Sequence, residues 1–342
     1  MNRIVLVAPR IPYGGAERQM VELKNAYKEE IKLVDLSQNI SLDENGSQKS
    51  MNIIGPGLRN KLHRMRCMNT LYREYSTATD TVFIFYNSVF LWLAYFLRKK
   101  GHKVYISLRE YNSDFLGAKY QFVLRTLNGV FTNTPRLYND MQQLGINIKL
   151  TLNTISSAST TPNRAVLTRD NTKLLIVSNL EPHKQVLEVL AALKNEKYDI
   201  YIAGAMSNIA YTEKCRAIAS VSSCKIHFLG SVSRDDLIQH YTTCACFIHA
   251  SLVEGTSNAI VDAINFETPL IVGNTPENRY LVDDLPDFIW EDGRLDQLVT
   301  STINHARDRS YIHQQKFLRD RVSLKFGADN LRRIRETVLN IS

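Results

Sequence analysis

The sequence contains no C-x-x-C pair, no G-x-G-x-x-G after any apolar run and no long hydrophobic stretch. The first absence argues against zinc ribbons and thioredoxin-type redox motifs. The second removes the dinucleotide-binding fingerprint, and with it the usual signature of a nicotinamide oxidoreductase. A spanning helix needs about 20 apolar residues, whereas the longest run, Phe90 to Leu97 with Val89 before it, has nine. The N-terminal run Ile4–Ala8 is shorter still and reads as a buried strand, not a signal-peptide core. Five cysteines, an odd number without a regular framework, point to reduced thiols in a cytosolic compartment. Cys244 and Cys246 alternate along an apparent strand, which favours core packing over metal or redox use.

What is present is a 342-residue chain, 44% hydrophobic and 22% charged, a composition typical of globular proteins and a length suited to two domains. Its net charge of +8 is unevenly placed. Residues 1–155 carry 21 Lys/Arg against 12 Asp/Glu, a surplus of +9, and the remainder of the chain is at −1. A basic half calls for an anionic partner such as membrane lipid, a phosphorylated acceptor or nucleic acid.

Short β-rich runs alternate with helical stretches throughout. Runs at 4–9, 31–36, 81–86, 103–108, 129–134 and 147–152 read as one strand series. A second series reads at 173–179, 199–205, 225–230, 244–250 and 269–274. Such alternation builds parallel sheets covered by crossover helices. The polar stretch 37–57 reads as a loop. The expected organisation is an α/β pair of Rossmann-like doubly wound domains facing across a cleft. The first covers 1–155 on the acceptor side, 156–171 is a linker, and 172–320 binds the nucleotide. A C-terminal helical segment, 321–342, either closes the second domain or packs back toward the first. In such sheets ligands sit beyond the carboxyl ends of the strands.

The segment SLVEGTSNAIVDAINFETPLIVGN, residues 251–274, carries the most chemistry. A strand ends at Ala250, Glu254 lies in a short loop, and Ser257-Asn258 read as the start of a helix. Free N–H groups at such a start, with the positive end of the helix dipole, suit a diphosphate. Glu254 and Asp262 then place a carboxylate at each end of an elongated ligand. An ordinary strand–loop–helix with a cap and two solvated acids gives the same spacing, so the segment alone leaves both readings open.

This segment resembles the E-x7-E region of family-4 retaining glycosyltransferases with the GT-B fold, written here as Glu254-x7-Asp262. Gly14-Gly15-Ala16-Glu17-Arg18 resembles the family's N-terminal glycine pair. VSNLEPHKQ (177–185) resembles its strand–GR–x4–K segment, and FLGSV (228–232) its turn beside the donor base. The four motifs stand in the family's order across roughly residues 4–340. The resemblance implies that Lys184 neutralises the donor diphosphate as the sugar bond breaks. Glu254 would orient the transferred sugar, and the backbone of Gly255, Thr256, Ser257, Asn258 and Ala259 would hold sugar and phosphate. Asp262 would bind the ribose, the backbone near Val232 the base, and Gly14-Gly15 would approach the diphosphate from the other domain.

Three positions depart from the family pattern. Asn179 stands where the family often has an arginine, so it can donate a hydrogen bond but brings no charge. Arg109, in ISLREYN, resembles an S-x-R subgroup pattern and is a candidate substitute, a solvated or structural arginine being the alternative. Asp262 replaces glutamate, shortening its reach by about 1.5 Å, one C–C bond. No nucleophile for the far face of the donor is evident, so a front-face displacement is expected. No cofactor is expected and no metal, the cationic lysine taking the metal's place. The pairs Asp235-Asp236 and Asp283-Asp284 read as caps or surface charge.

LRNKLHRMRCMNTLY (58–72) has an apolar stripe at helical spacing flanked by basic residues, Arg59, Lys61, Arg64 and Arg66 among them. Arg98, Lys99, Lys100 and Lys103 form a second basic cluster. Together they suggest peripheral contact with anionic lipid at the inner face of the cell membrane, and an ordinary solvated surface helix is the alternative. FLWLAYFL reads as apolar on all sides and hence buried. The expected partners are a nucleoside-diphosphate sugar, UDP favoured, and a saccharide or lipid-linked acceptor in lipopolysaccharide, capsule or exopolysaccharide assembly. Nucleic acid is not expected, because the basic residues do not interleave with exposed aromatics as a stacking surface requires. The alternatives are a nucleotide-sugar epimerase on the same scaffold and a degenerate transferase acting as a partner subunit.

Overall fold

The computed structural model describes residues 3–8, 15–35, 65–66, 68–73, 81–152, 169–291, 293–327 and 329–339. The chain divides into two compact units, residues 1–154 with 328–342, and residues 155–327. The loop read at 37–57 and nearly all of the linker read at 156–171 lie outside the described residues, as does Cys67.

The first unit is a six-stranded parallel sheet in the order β2-β1-β3-β4-β5-β6. Its strands are β1 (Arg3–Ala8), β2 (Ile31–Asp35), β3 (Thr81–Tyr86), β4 (Lys103–Leu108), β5 (Gly129–Thr132) and β6 (Ile148–Leu150). Strand side chains alternate between faces, and here both faces are apolar because helices cover both. Val5, Val7, Phe83 and Phe85 pack on one side with Leu93, Ala94 and Leu97 of helix α2 (Leu91–Lys99). Ile4, Leu6, Ala8, Val82 and Ile84 pack on the other, against Met20 and Leu23 of helix α1 (Gly15–Ala26). Helices α3 (Ala118–Thr126) and α4 (Pro135–Gln143) complete the crossovers.

The second unit repeats the design with the order β12-β11-β10-β7-β8-β9. Its strands are β7 (Asp170–Val177), β8 (Asp199–Ala203), β9 (Lys225–Gly230), β10 (Cys244–His249), β11 (Leu270–Gly273) and β12 (Ile289–Trp290). The helices are α5 (Val186–Leu193), α6 (Ile209–Val221), α7 (Arg234–Thr243), α8 (Asn258–Asn265), α9 (Pro276–Leu281), α10 (Leu295–His305) and α11 (Arg309–Lys325). The two-residue β12 was not read from the sequence, being too short for any alternation to show. Cys244 and Cys246 are buried in β10, where burial pushes the Cys244 thiol up to about 12 and Cys246 well above its usual value. Both act as core side chains.

Two sequence readings need correction. A domain boundary at 320/321 falls inside α11, and the second unit instead ends at Gly327. The last helix, α12 (Asp329–Leu339), belongs to the first unit, where Leu331, Ile334 and Val338 join the core beside β1 and β3. Arg335 fixes it with two 2.8 Å hydrogen bonds to the Glu30 carboxylate. The second correction concerns FLWLAYFL, which is not buried all round: Trp92 is 43% and Phe96 53% exposed. A helix lying on one sheet face buries one stripe only, and these two residues fall outside it.

Candidate active site

In the second sheet the chain winds outward from β7 to β9, then returns to place β10 on the other side of β7. Neighbouring strands whose connections depart in opposite directions leave a crevice at their carboxyl ends. The loops that leave β7 and β10 are those carrying Lys184 and Glu254.

Each loop is fixed by backbone hydrogen bonds. Ser178 N donates to Ala203 O at 2.9 Å and Leu180 N to Ala205 O at 2.9 Å, with the Leu180 side chain buried below. Gly204 permits this close passage, since a Cβ there would stand 2.0 Å from Ser178 O. Pro182–Lys184 then form a 3-10 turn that ends at Gln185, whose left-handed φ of 54° redirects the chain into α5. Leu252 N donates to His183 O at 2.9 Å, joining the second loop to the first.

The result is an ion pair between residues far apart in sequence. Lys184 Nζ donates to Glu254 Oε1 at 2.5 Å, and both side chains are largely buried. His249, the last residue of β10, is buried with Nε2 3.2 Å from the same oxygen, although neither ring nitrogen meets hydrogen-bond geometry. Burial alone would raise the Glu254 pKa. The imidazole of His249 and the ammonium of Lys184 outweigh it and hold the carboxyl down to about 2. Glu254 is therefore a permanent carboxylate at neutral pH.

Directly after it, Thr256 and Ser257 are buried and α8 starts at Asn258. Ser257, the N-cap, makes no side-chain capping bond, so the helix start offers backbone N–H groups and the positive end of its dipole. The other end of α8 is held by Arg169, whose guanidinium donates to Phe266 O at 3.3 Å and Glu267 O at 3.0 Å. The same guanidinium donates to Tyr241 O at 2.8 Å and Cys244 O at 3.0 Å. A cation at the carbonyl end complements the helix dipole and locks α8 to α7 and β10.

Asp262 is buried within α8 and accepts two hydrogen bonds from Arg234, at 2.6 and 2.8 Å. Arg234 opens α7 two residues after Val232, behind the Ser233 cap. Sequence reading missed both Arg234 and His249. The signal for Arg234 was its place in the turn beside the base-side motif; for His249 it was a polar residue ending an otherwise apolar strand.

The remaining expected residues are placed as follows. Asn179 Oδ1 accepts from Ala205 N at 2.9 Å, which fixes the side chain and leaves its amide N–H₂ as donor to a ligand. Arg109 and Gly15 belong to the first unit. Arg109 directly follows β4 and donates to Thr151 O at 3.2 Å, and its charge partly offsets the burial that pushes Tyr86 up to about 12. Gly15 begins α1, while Gly14, Arg59, Lys61 and Arg64 lie outside the described residues. Arg66 is helical and exposed. Among the described residues no cluster of three or more His, Cys, Asp or Glu is arranged to hold a metal ion, and no helix is long and apolar enough to cross a membrane.

Residues 159–309 match the family model for glycosyl transferases group 1. No curated protein matches the sequence. Solved structures do match over the whole chain. Anabaena HepE in complex with UDP-glucose superposes with a TM-score of 0.72 at 14% identity, covering 99% of this chain and 100% of that one. Sucrose-phosphate synthase from Thermosynechococcus elongatus gives 0.77 at 12% identity, covering 99% and 100%. The lipopolysaccharide outer core galactosyltransferase WaaB gives 0.66 at 14% identity, with 99% of each chain covered. At such identities the likeness establishes the fold. The likeness gives the fold, two doubly wound α/β units as in these GT-B structures, and the family match gives residues 159–309, Lys184 and Glu254 among them, as a group 1 glycosyl transferase domain.

Proposed function

We propose that the chain is a retaining, metal-independent transferase of the family-4 kind. It moves a sugar from a UDP-sugar to a saccharide or lipid-linked acceptor in surface polysaccharide assembly, at the cytoplasmic face of the cell membrane. The observation that carries this reading is the buried Lys184–Glu254 pair at the start of α8.

In this reading the N–H groups at Asn258 and Ala259 receive the donor phosphate, and Lys184 stabilises the diphosphate as it leaves. Electrostatic stabilisation of that kind is commonly the largest catalytic contribution. A lysine ammonium has three donors, so Lys184 keeps Glu254 as one partner while reaching an oxygen of the diphosphate. Glu254 accepts hydrogen bonds from the sugar hydroxyls. A carboxylate held at about 2 is a poor proton acceptor at neutral pH, so the acceptor hydroxyl gives its proton to the departing diphosphate oxygen. The anomeric C–O bond to phosphate breaks as the new C–O bond forms on the same face. Val232 lies at the base, and Asp262, already bridged to Arg234, takes the ribose with its remaining lone pairs. Asn179 donates through its amide.

The choice of UDP draws support from HepE, whose structure contains UDP-glucose. A role in surface polysaccharide draws support from WaaB, a lipopolysaccharide galactosyltransferase. The test is proton NMR of UDP-glucose and UDP-galactose turnover in excess EDTA, by slow hydrolysis or on added acceptor. Product in the donor's own α configuration supports the mechanism. A β product, a covalent sugar–enzyme adduct in mass spectra, or activity that returns only with a divalent metal overturns it.

A further inference from the structure

The first unit holds a groove of about 760 Å³ lined by Met65, Met68, Tyr72, Trp92, Phe96 and Lys119. It lies between the helical residues 65–66 and 68–73, α2 and the start of α3, and takes no part in the chemistry described above. Its margins are unusually apolar for a protein surface. Met65 is 58%, Trp92 43%, Phe96 53% and Phe122 58% exposed. The rings are contiguous: Tyr95 stands 6.0 Å from Trp92, 5.7 Å from Phe96 and 5.8 Å from Phe122 between centroids. Contiguous exposed apolar surface of this sort marks an interaction site.

The charge around it narrows the occupant. The described residues 65–66, 68–73, 88–100 and 118–126 contain seven Lys/Arg and no Asp or Glu. Two of these cations cover the rings, Lys119 Nζ 5.5 Å from the Trp92 centroid and Lys99 Nζ 5.6 Å from Tyr95. A second copy of the same face would oppose seven cations with seven cations. A bilayer of anionic phospholipid satisfies both features, since indole and phenyl rings settle at headgroup depth and lysines reach the phosphates.

We propose that this groove is the membrane-docking surface, with Trp92, Phe96 and Met65 entering the acyl boundary and Arg66, Lys99, Lys100 and Lys119 contacting lipid phosphates. The inference rests on the membrane reading given under Proposed function and assigns it to side chains. It moves the weight of that contact from the basic flank alone to an apolar face that the basic residues surround.

The test uses the full chain with Trp290→Phe, which leaves Trp92 as the one tryptophan. It is titrated with phosphatidylglycerol/phosphatidylcholine vesicles, with and without shallow bromine labels on the acyl chains. The proposal expects co-sedimentation at low salt, a blue shift of Trp92 emission and loss of most of that emission to bromine. Adding Trp92→Ser with Phe96→Ser should lower vesicle partitioning by about 100-fold or more, each large apolar side chain that enters the acyl boundary contributing about tenfold or more. Both residues are exposed, so an unchanged UDP-induced thermal shift serves to show that the variant is folded. Co-sedimentation without any change at Trp92 overturns the groove and leaves membrane binding intact. No co-sedimentation with anionic vesicles overturns both. A concentration-dependent dimer that shifts Trp92 emission without lipid assigns the face to a second copy and also overturns the proposal.

Discussion

Lys184 Nζ and Glu254 Oε1 lie 2.5 Å apart across seventy residues of sequence, joined because β7 and β10 are neighbours at the switch point of one sheet. Lys184→Met should therefore lower sugar transfer by about 10²–10³-fold, the usual effect of deleting one electrostatic stabiliser of a developing anion. Rates with a saturating UDP-sugar, compared between wild type and variant, check this. A change confined to KM would argue that Lys184 serves binding alone.

The pH behaviour of Glu254 follows from its depressed pKa. Its carboxyl sits at about 2, below the usual 4.5, so the native state favours the ionised form. The stability this gives is fully present above pH 4.5, and it is lost as pH falls from there toward 2. Lys184→Met and His249→Phe each remove a neighbour that holds the carboxyl down, so each should move the acid-unfolding midpoint of the second unit upward. Circular dichroism across an acid titration measures this. Unchanged midpoints in both variants would mean the burial of Glu254, not its neighbours, sets its state.

Arg234 and Asp262 form a buried bidentate pair. Removing the cation strands a buried carboxylate, so Arg234→Met should destabilise the protein by about 3–5 kcal/mol. Arg234→Met combined with Asp262→Leu should recover much of that loss, because no charge remains buried. Chemical denaturation of the single and double variants separates the two outcomes. Loss of UDP affinity in the refolded double variant would add a donor-binding role.

Arg169 donates to four backbone carbonyls, of which Tyr241 O also accepts from Thr268 Oγ1. Arg169→Met should cost about 3 kcal/mol or more, given about 1–3 kcal/mol for each stranded buried polar group. Thermal unfolding followed by calorimetry gives the value. A loss below 1 kcal/mol would show that these carbonyls find other donors.

Much of the architecture is legible in the residues themselves. Runs such as TVFIFY are buried on both faces, and only a covered parallel sheet accommodates that. Lys184, Glu254 and the start of α8 are likewise readable, because loop, cap and strand end are local features. What depends on tertiary contact is not. His249 sits in a run that reads as core, and only the fold brings its ring beside Glu254. Arg234 looks like a surface residue at a helix start until α8 supplies Asp262. Trp92 and Phe96 sit in a run whose average hydropathy implies burial, while the angle at which α2 meets the sheet decides which side is covered. The end of the second unit was obscured for the same reason, since the periodicity of α11 carries on past residue 320 without a break.

The most direct test of the donor site is a thermal-shift series on the full chain with UDP, GDP, ADP and CMP in excess EDTA, for wild type and Lys184→Met. A ligand at about 100 times its Kd adds roughly 2.7 kcal/mol, which moves the midpoint by about 5–11 °C for a domain of this size. Wild type should show such a shift with UDP and none of that size with CMP, and the variant a clearly smaller UDP shift. No shift with any diphosphate, or a UDP shift that Lys184→Met leaves unchanged, would contradict it.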